Sequence, residues 1–396
     1  MSMLSKERFL QFFHREPTPS FHQFVKKSVI VSYLGKEKPL TELVQSGRLK
    51  EADLRLMYEQ IQNRDAYLSA FYDRSLQVHE KTVVGTVAAL SLENPMPKSA
   101  IDNDKETRYK NVIRNLFYRE ILEETKSGIS NVPSFWTVMT DFYLRGRIDY
   151  KLITPSALHY MRENKISSNF SSFYFRASIM NPYLVYSLQE QYFQGERIFT
   201  PTLGWGSYLT GFLASPRVRE YVGVDVIPSV CRKIEAVGKS LENVKVDIYC
   251  KGSEILAKNA AFRRKYAGHF DTVFFSPPYY ELEMYAGDAQ SVRKYKTYPE
   301  WLEGYWRPTM ELCRHVLVKG GLVKGGGAEG STNRTNHTGL GQLCFIISDY
   351  EGHSLVKDMK AIAVEEGFRF IKKIPMLNKQ VNYREKDRGE QILFFR

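Results

Sequence analysis

Residues 276–279, Ser-Pro-Pro-Tyr, have the types and spacing to hold a planar amino group at the end of a hydrophobic run. The two prolines, Pro277 and Pro278, fix φ and remove two N–H donors, so the chain leaves its strand in a rigid extended turn with free carbonyls. Ser276 and the Pro277 carbonyl can accept hydrogen bonds from an NH2 group, and the ring of Tyr279 can stack on a base. This arrangement predicts that an amine is aligned with an electrophile by position rather than by a strong base. The alternative is an ordinary Pro-Pro loop.

A glycine-containing loop lies upstream, where a strand must turn into a helix. Thr202, Gly204, Trp205 and Gly206 fall in this loop, as a nucleotide-type loop requires. The spacing departs from the full G-x-G-x-x-G pattern, because the next glycine is Gly211.

An acid follows the loop at the distance that a ribose-binding residue requires. Asp225 ends the next apolar run, 21 residues after Gly204, where an acid would hold ribose hydroxyls. The alternative for Asp225 is a helix N-cap ahead of Pro228.

Loop, acid and turn together resemble the amino-methyltransferases, which methylate exocyclic amino groups with S-adenosylmethionine. The hallmark of that family is [D/N/S]-P-P-[Y/F/W], matched by residues 276–279, and its methyl-donor loop is similar to Gly204–Gly206. The resemblance covers about residues 176–396 and implies S-adenosylmethionine as the cofactor. It also implies donor contacts upstream at Asn181-Pro182 and near Gly252-Ser253. The implied cofactor-binding residues are Asn181, Pro182, Thr202, Gly204, Trp205, Gly206, Asp225, Gly252 and Ser253.

The serine at the first position of the hallmark is typical of DNA cytosine-N4 enzymes, so the resemblance favours cytosine N4 over adenine N6 and leaves both open. The target base would be extruded into the cleft, because a stacked base cannot present its amine to the donor. Basic residues interleaved with aromatic ones after the turn suit such a base and its phosphates. The expected substrate contacts are Tyr280, Tyr285, Arg293, Lys294 and Lys296, with a solvated loop as the alternative.

Two further functions remain open. The same turn can hold any planar NH2 group, so RNA or a protein glutamine could be the acceptor. A catalytically silent relative that binds nucleic acid or a partner methyltransferase is the other alternative, although the intact loop and Asp225 argue against it.

The elements that must position these residues alternate between strand and helix. Apolar runs predict strands at 197–200, 221–226, 244–249, 272–276, 343–348, 368–374 and 391–395, with helices at 207–214, 228–241 and 300–316. This alternation, read with the resemblance, predicts an α/β fold: a Rossmann-like seven-stranded methyltransferase domain at 176–396. Its Gly-rich insertion at 319–341 would be a surface insertion or a flap.

The first part of the chain differs in pattern. Apolar residues recur at helical spacing in 40–76 and 108–122, which predicts a mostly helical accessory domain at 1–175. We expect it to bind substrate or a partner, and an oligomer or partner subunit could assemble through it.

Composition narrows the class of protein. The 396 residues carry 56 Lys+Arg against 44 Asp+Glu, a net charge of +12, which fits a nucleic-acid partner, most simply DNA. Plain solubility charge is the alternative. No apolar stretch is long enough to span a membrane, and the N-terminus lacks signal-peptide features. Four cysteines without C-x-x-C spacing and eight histidines without metal spacing predict no metal and an intracellular, reducing compartment, cytoplasm or nucleus.

Overall fold

The computed structural model of the chain describes two compact units. The described residues are 5–32, 35–73, 79–117, 120, 125–127, 135–165, 169–170, 179–280, 283–285, 289–319, 341–350, 352–378 and 389–396. The first unit comprises residues 1–78, 115–178 and 281–286, and the second comprises residues 79–114, 179–280 and 287–396. No helix in the described ranges is long and apolar enough to cross a membrane.

The first unit is mostly helical. Its helices are Lys6–His14, Phe21–Lys27, Leu40–Gln45, Glu51–Gln62, Arg64–Phe71, Phe135–Thr140, Asp141–Arg145, Tyr150–Ile153 and Pro155–Arg162. Aromatic side chains fill its core, where Phe9 and Phe13 pack edge to face at 5.3 Å. Short strands complete it: Val29–Val31 pairs with both Glu37–Pro39 and Arg147–Asp149, and Thr125–Ser127 pairs with Glu283–Tyr285.

The second unit is built on a seven-stranded sheet. We number its strands β1 (Arg197–Thr200), β2 (Glu220–Asp225), β3 (Lys245–Cys250), β4 (Thr272–Phe275), β5 (Gln342–Ile347), β6 (Phe370–Pro375) and β7 (Gln391–Phe395). The strand order is β6-β7-β5-β4-β1-β2-β3. β7 runs antiparallel to its neighbours β5 and β6, whereas the pairs joining β5, β4, β1, β2 and β3 are parallel.

Burial follows position in this sheet. β1, β2, β4, β5 and β7 are almost wholly buried, as central strands covered on both faces must be. β3 and β6 form the two edges and are more exposed. Edge strand β6 carries Lys372 and Lys373, and charges of this kind discourage pairing with another sheet edge.

Helices connect the strands. The helices of this unit are Glu80–Leu90, Thr107–Leu116, Pro182–Leu188, Gln189–Phe193, Ser207–Leu213, Pro228–Lys239, Ser253–Leu256, Ala260–Tyr266, Ser291–Lys294, Tyr298–Trp301, Leu302–Trp306, Arg307–Val316 and Leu355–Glu365. β1 lies between β2 and β4, so the strand order reverses there. In open α/β sheets, ligands bind beside the carboxyl ends of the strands at such a switch point. The residues that follow β1 and β4 are therefore the first place to look for a site.

The fold class that the sequence predicts is confirmed, with all seven strands within two residues of their expected bounds. The helix expected at 300–316 differs in detail, because Leu302–Trp306 forms a π-helical segment between two α-helical ones. Most of the insertion, residues 320–340, lies outside the described residues.

The boundary expected at residue 175 needs one correction, because residues 79–114 pack with the second unit. The carbonyls of Asn94 and Glu93 accept hydrogen bonds from the hydroxyls of Tyr183 (2.6 Å) and Tyr186 (3.1 Å). The sheet-bearing unit therefore includes a segment that precedes its first strand by about a hundred residues in sequence.

Candidate functional site

The Ser276 turn leaves the sheet directly from β4 and is fixed by neighbouring strands. The backbone N–H of Ser276 donates to the Tyr208 hydroxyl at 3.0 Å, and the Ser276 Oγ donates to the Ile346 carbonyl of β5 at 3.0 Å. The single hydroxyl proton is thus used inside the protein, which leaves the lone pairs of Oγ to accept from a ligand. Among the described residues, no donor contacts the Pro277 carbonyl. The turn therefore presents two acceptors.

The loop after β1 contains three successive residues in the left-handed region. Gly204, Trp205 and Gly206 have φ of +51°, +59° and +81°. Glycine is required at 204 for a second reason, since a Cβ there would lie 2.3 Å from the Tyr208 ring. Trp205 is a bulky residue held at positive φ, a strained conformation that persists where the surroundings impose it.

Loop and turn are joined by hydroxyl groups. The Ser276 carbonyl accepts from Thr202 Oγ1 at 3.3 Å and from the Tyr208 hydroxyl at 3.5 Å. Tyr208 lies in the first turn of the helix Ser207–Leu213 that follows the loop, so its hydrogen bonds link the carboxyl ends of β1 and β4. Thr202, Gly204 and Ser276 keep exposed surface where most of their neighbours are buried.

Asp225 ends β2 at the same edge of the sheet. Its Oδ1 accepts from the N–H groups of Val226 (2.8 Å) and Ile227 (3.1 Å), and its Oδ2 accepts from the Leu203 N–H at 3.4 Å. Burial raises the pKa of Asp225, while these three N–H groups act in the opposite direction. Oδ2, with one long hydrogen bond, has capacity left for hydroxyls of a ligand.

Tyr279 is buried and its hydroxyl is fully used. It donates to Glu390 Oε1 at 3.0 Å and accepts from the Ser348 N–H (3.0 Å) and Ser348 Oγ (3.4 Å). Burial first, and then the charge of Glu390, raise its pKa well above the usual value. Only the ring of Tyr279 is left to contact a ligand.

Asn181 is fully buried and serves the fold. Its side-chain oxygen accepts from the Tyr183 N–H at 3.0 Å, and its Nδ2 donates to the carbonyls of Lys105 (2.6 Å) and Asn103 (3.3 Å). Pro182 is the first residue of the helix Pro182–Leu188. This first turn packs closely on the helix Ser207–Leu213, since a Cβ at Gly211 would lie 2.5 Å from the Pro182 carbonyl oxygen. The Asn181 side chain thus holds the helix and has no surface left for a ligand.

Gly252 and Ser253 follow β3. Ser253 Oγ lies 2.8 Å from Thr309 Oγ1 and is buried. The buried Glu254 carboxylate folds back over Gly252 and pairs with Lys294 at 2.7 Å. Lys294, expected to contact phosphates, is thus bound to a carboxylate in the protein.

Of the remaining expected substrate residues, Tyr280 and Lys296 are joined by one hydrogen bond. Tyr280 is buried in a cluster of rings with Tyr298, Trp301 and His353, and its hydroxyl donates to the Lys296 carbonyl at 2.8 Å. The side chains of Lys296 and Arg293 keep exposed surface. Tyr285 lies in the short strand Glu283–Tyr285, which belongs to the first unit.

Three residues of the site were missed by sequence reasoning: Tyr208, Ser348 and Glu390. Tyr208 follows Gly204 by four residues in sequence. An aromatic residue at this distance from a glycine in a strand-to-helix turn could have indicated that its ring packs on the glycine. The other two come from the ends of β5 and β7, and no local pattern marks them. No group of three His, Cys, Asp or Glu side chains in the described part of the chain could hold a metal ion.

Comparison with models of known protein families and with curated proteins gives no match. Among solved structures, the chain is similar to the N-methyltransferase NodS from Bradyrhizobium japonicum WM9, with 11% identity over 54% of this chain and 90% of that chain and a TM-score of 0.31. It is also similar to a SAM-dependent methyltransferase from Agrobacterium tumefaciens, with 12% identity over 53% of this chain and 58% of that chain and a TM-score of 0.32. A spermidine synthase from Thermotoga maritima has 12% identity over 51% of this chain and 53% of that chain, with a TM-score of 0.29. Each TM-score lies below 0.5, so this distant likeness says nothing about the substrate or cofactor of this chain.

Proposed function

We propose that the chain is a methyltransferase that transfers the methyl group of S-adenosylmethionine to the exocyclic amine of a DNA base, cytosine N4 or adenine N6. One observation carries the proposal. The loop after β1 and the Ser276 turn after β4 meet at the switch point of the sheet, joined by Thr202 and Tyr208 at 3.0–3.5 Å. We propose that a donor-binding loop and an amine-holding turn thus share this edge of the sheet.

The residues at this edge fit the donor by their chemistry. Asp225 Oδ2 faces the start of the loop through the Leu203 N–H at 3.4 Å and can accept from ribose hydroxyls. Thr202 and Gly204 line the same edge with exposed surface. We propose that Gly252 and Ser253 lie near the adenine. Bound there, S-adenosylmethionine would supply an electrophilic methyl group.

The turn would orient the amine. Ser276 Oγ and the Pro277 carbonyl accept its two N–H groups, so the nitrogen lone pair points away from both acceptors. The nitrogen gains its fourth bond from the methyl group as the S–CH3 bond breaks, and positive charge develops on it until one N–H proton is lost to solvent. Two fixed oxygen atoms stabilise that charge without the cost of reorienting water. Tyr279 would contribute its ring by stacking on the base.

DNA is the acceptor that charge and turn favour together. A net charge of +12 suits a polyanion, and the serine form of the hallmark favours cytosine. The base must leave its duplex to reach the turn. We propose that the first unit adds substrate or partner binding. All four cysteines are free, which supports a reducing intracellular compartment.

The proposal is tested by incubating the full chain with isotopically labelled donor and, separately, duplex DNA, RNA and unfolded protein. Each product is hydrolysed and identified by mass spectrometry. We expect label on N4-methylcytosine or N6-methyladenine from DNA. Label only on RNA bases or on glutamine would replace DNA by the corresponding acceptor, and donor binding without label on any of the three would indicate a silent relative.

A further inference from the structure

Tyr279 is held by residues next to two neighbouring strands of the sheet, β5 and β7. Ser348 follows β5, and Glu390 precedes β7. Because β7 alone runs antiparallel to β5, its first residue lies at the edge where β5 ends. The antiparallel strand therefore brings a carboxylate to the site from a position 111 residues away in sequence.

The hydrogen bonds of Tyr279 determine the orientation of its ring. A phenol has one proton and two lone pairs. Here the proton is donated to Glu390 Oε1 at 3.0 Å, and the oxygen accepts from the Ser348 N–H at 3.0 Å and from its hydroxyl at 3.4 Å. An oxygen with three partners from two strands cannot swing without breaking one of them, so the ring plane is fixed.

We propose that Glu390 is a positioning residue for the substrate base: it accepts the Tyr279 hydroxyl and so fixes the ring on which the base stacks. This inference rests on the proposed function, because it assumes a base beside Tyr279. Glu390 itself does not touch the base. Its effect passes through one hydrogen bond and one aromatic ring.

The surroundings of Glu390 suit a structural acceptor. Burial raises its pKa, the Tyr279 hydrogen bond and the Lys110 charge lower it, and the Asp104 charge raises it. Lys110 and Asp104 pair at 3.4 Å and belong to the 79–114 segment that packs with this unit. The segment whose residues Asn103 and Lys105 bond Asn181 therefore also contributes the charges around Glu390.

The test compares Glu390→Ala, Glu390→Gln and Tyr279→Phe with the wild type in steady-state methylation of a DNA substrate. Glu390→Ala should raise KM for DNA by about threefold to tenfold, a part of what base stacking contributes, with kcat nearly unchanged. Glu390→Gln keeps an acceptor at the same place and should restore most of the wild-type KM. Tyr279→Phe keeps the ring, removes the same bond from the other side and should reproduce the KM of Glu390→Ala.

A double variant decides whether Glu390 acts through Tyr279. Adding Glu390→Ala to Tyr279→Phe should cause no further rise in KM, because the shared hydrogen bond is already gone. A further rise of the full single-variant size would overturn the proposal, as would an equal loss of donor affinity in all variants, which indicates collapse of the unit. Tyr192→Phe, whose lost hydroxyl bonds the Lys98 carbonyl at 3.1 Å, is the matched control and should leave KM unchanged.

The outcome also separates this inference from the proposed function. A wild type that methylates DNA, with variants that share its KM, refutes the role of Glu390 alone. A wild type that transfers no methyl group to DNA refutes the proposed function and, with it, the positioning role.

Discussion

Replacement of Asp225 by asparagine should weaken donor binding while keeping the two hydrogen bonds from Val226 and Ile227. An asparagine side chain can keep its oxygen toward the N–H groups of Val226 and Ile227, which bond Asp225 Oδ1 at 2.8 and 3.1 Å. Its NH2 group then replaces Oδ2, which faces the Leu203 N–H at 3.4 Å and can no longer accept ribose hydroxyls. The loss of a hydrogen bond to a charged group, about 1.5–3 kcal/mol, corresponds to about 10- to 140-fold weaker binding.

Isothermal titration calorimetry with S-adenosylmethionine measures this change. Asp271→Asn is the matched control, because Asp271 also accepts backbone N–H groups but at the amino end of the sheet, from Glu196 (3.2 Å) and Arg197 (3.0 Å). It should keep the wild-type Kd. Since burial raises the pKa of Asp225, wild-type affinity should begin to fall on acidification above the range of an ordinary aspartate. Donor binding by Asp225→Asn with the wild-type Kd would refute the assignment of Asp225.

Three further changes test the loop, the turn and the opposite end of the sheet. Gly204→Ala places a Cβ 2.3 Å from the Tyr208 ring and should destabilise the fold by about 1–3 kcal/mol more than the control Gly268→Ala. Gly268 also has a positive φ, +59°, but a Cβ there would have no atom closer than 4.0 Å. Equal unfolding free energies of the two variants in urea would contradict the Tyr208 contact. Ser276→Ala should slow methyl transfer in single-turnover assays by about tenfold, which corresponds to about 1.4 kcal/mol of activation free energy, while donor affinity is unchanged. A wild-type rate would show that the turn has only a structural role. Burial alone would raise the pKa of Glu220, but Lys245 and His269 outweigh it and lower the pKa. The Glu220 carboxylate therefore stabilises the fold at pH values above the unfolded-state pKa of about 4.3. This stabilisation is lost as the pH falls through the folded-state pKa. Glu220→Gln should therefore cost about 1.5–3 kcal/mol at neutral pH and progressively less in acid, and a pH-independent difference in urea unfolding would exclude that linkage.

The sequence predicts the sheet and the two segments that meet at its edge, because those features are local. Each central strand is a continuous apolar run, and burial on both faces demands that pattern. The turn at 276–279 and the loop at Gly204–Gly206 contain prolines and glycines whose backbone preferences act within a few residues. Parallel strands then bring both to one edge.

Features that depend on distant contacts could not be predicted in this way. Asn103 lies 78 residues from Asn181 and accepts its N–H through its side chain at 2.8 Å. The sequence therefore suggests a donor contact at Asn181, whereas the structure shows a buried helix cap. Likewise, no periodicity relates Glu390 to Tyr279, and the 79–114 segment has the helical pattern of the first unit although it packs with the second.

We propose that the edge of the sheet formed by the Gly204–Gly206 loop and the Ser276 turn holds both a methyl donor and an amine, and this proposal leads to one decisive measurement. This claim is tested most directly by a single-turnover reaction of the donor-bound protein with excess single-stranded DNA, with the labelled nucleoside identified by mass spectrometry. Wild type should label the exocyclic amine of one base, and Tyr279→Ala and Ser276→Ala should each transfer label more slowly while still binding donor. A protein that binds no S-adenosylmethionine, or variants that transfer label at the wild-type rate, would contradict the claim.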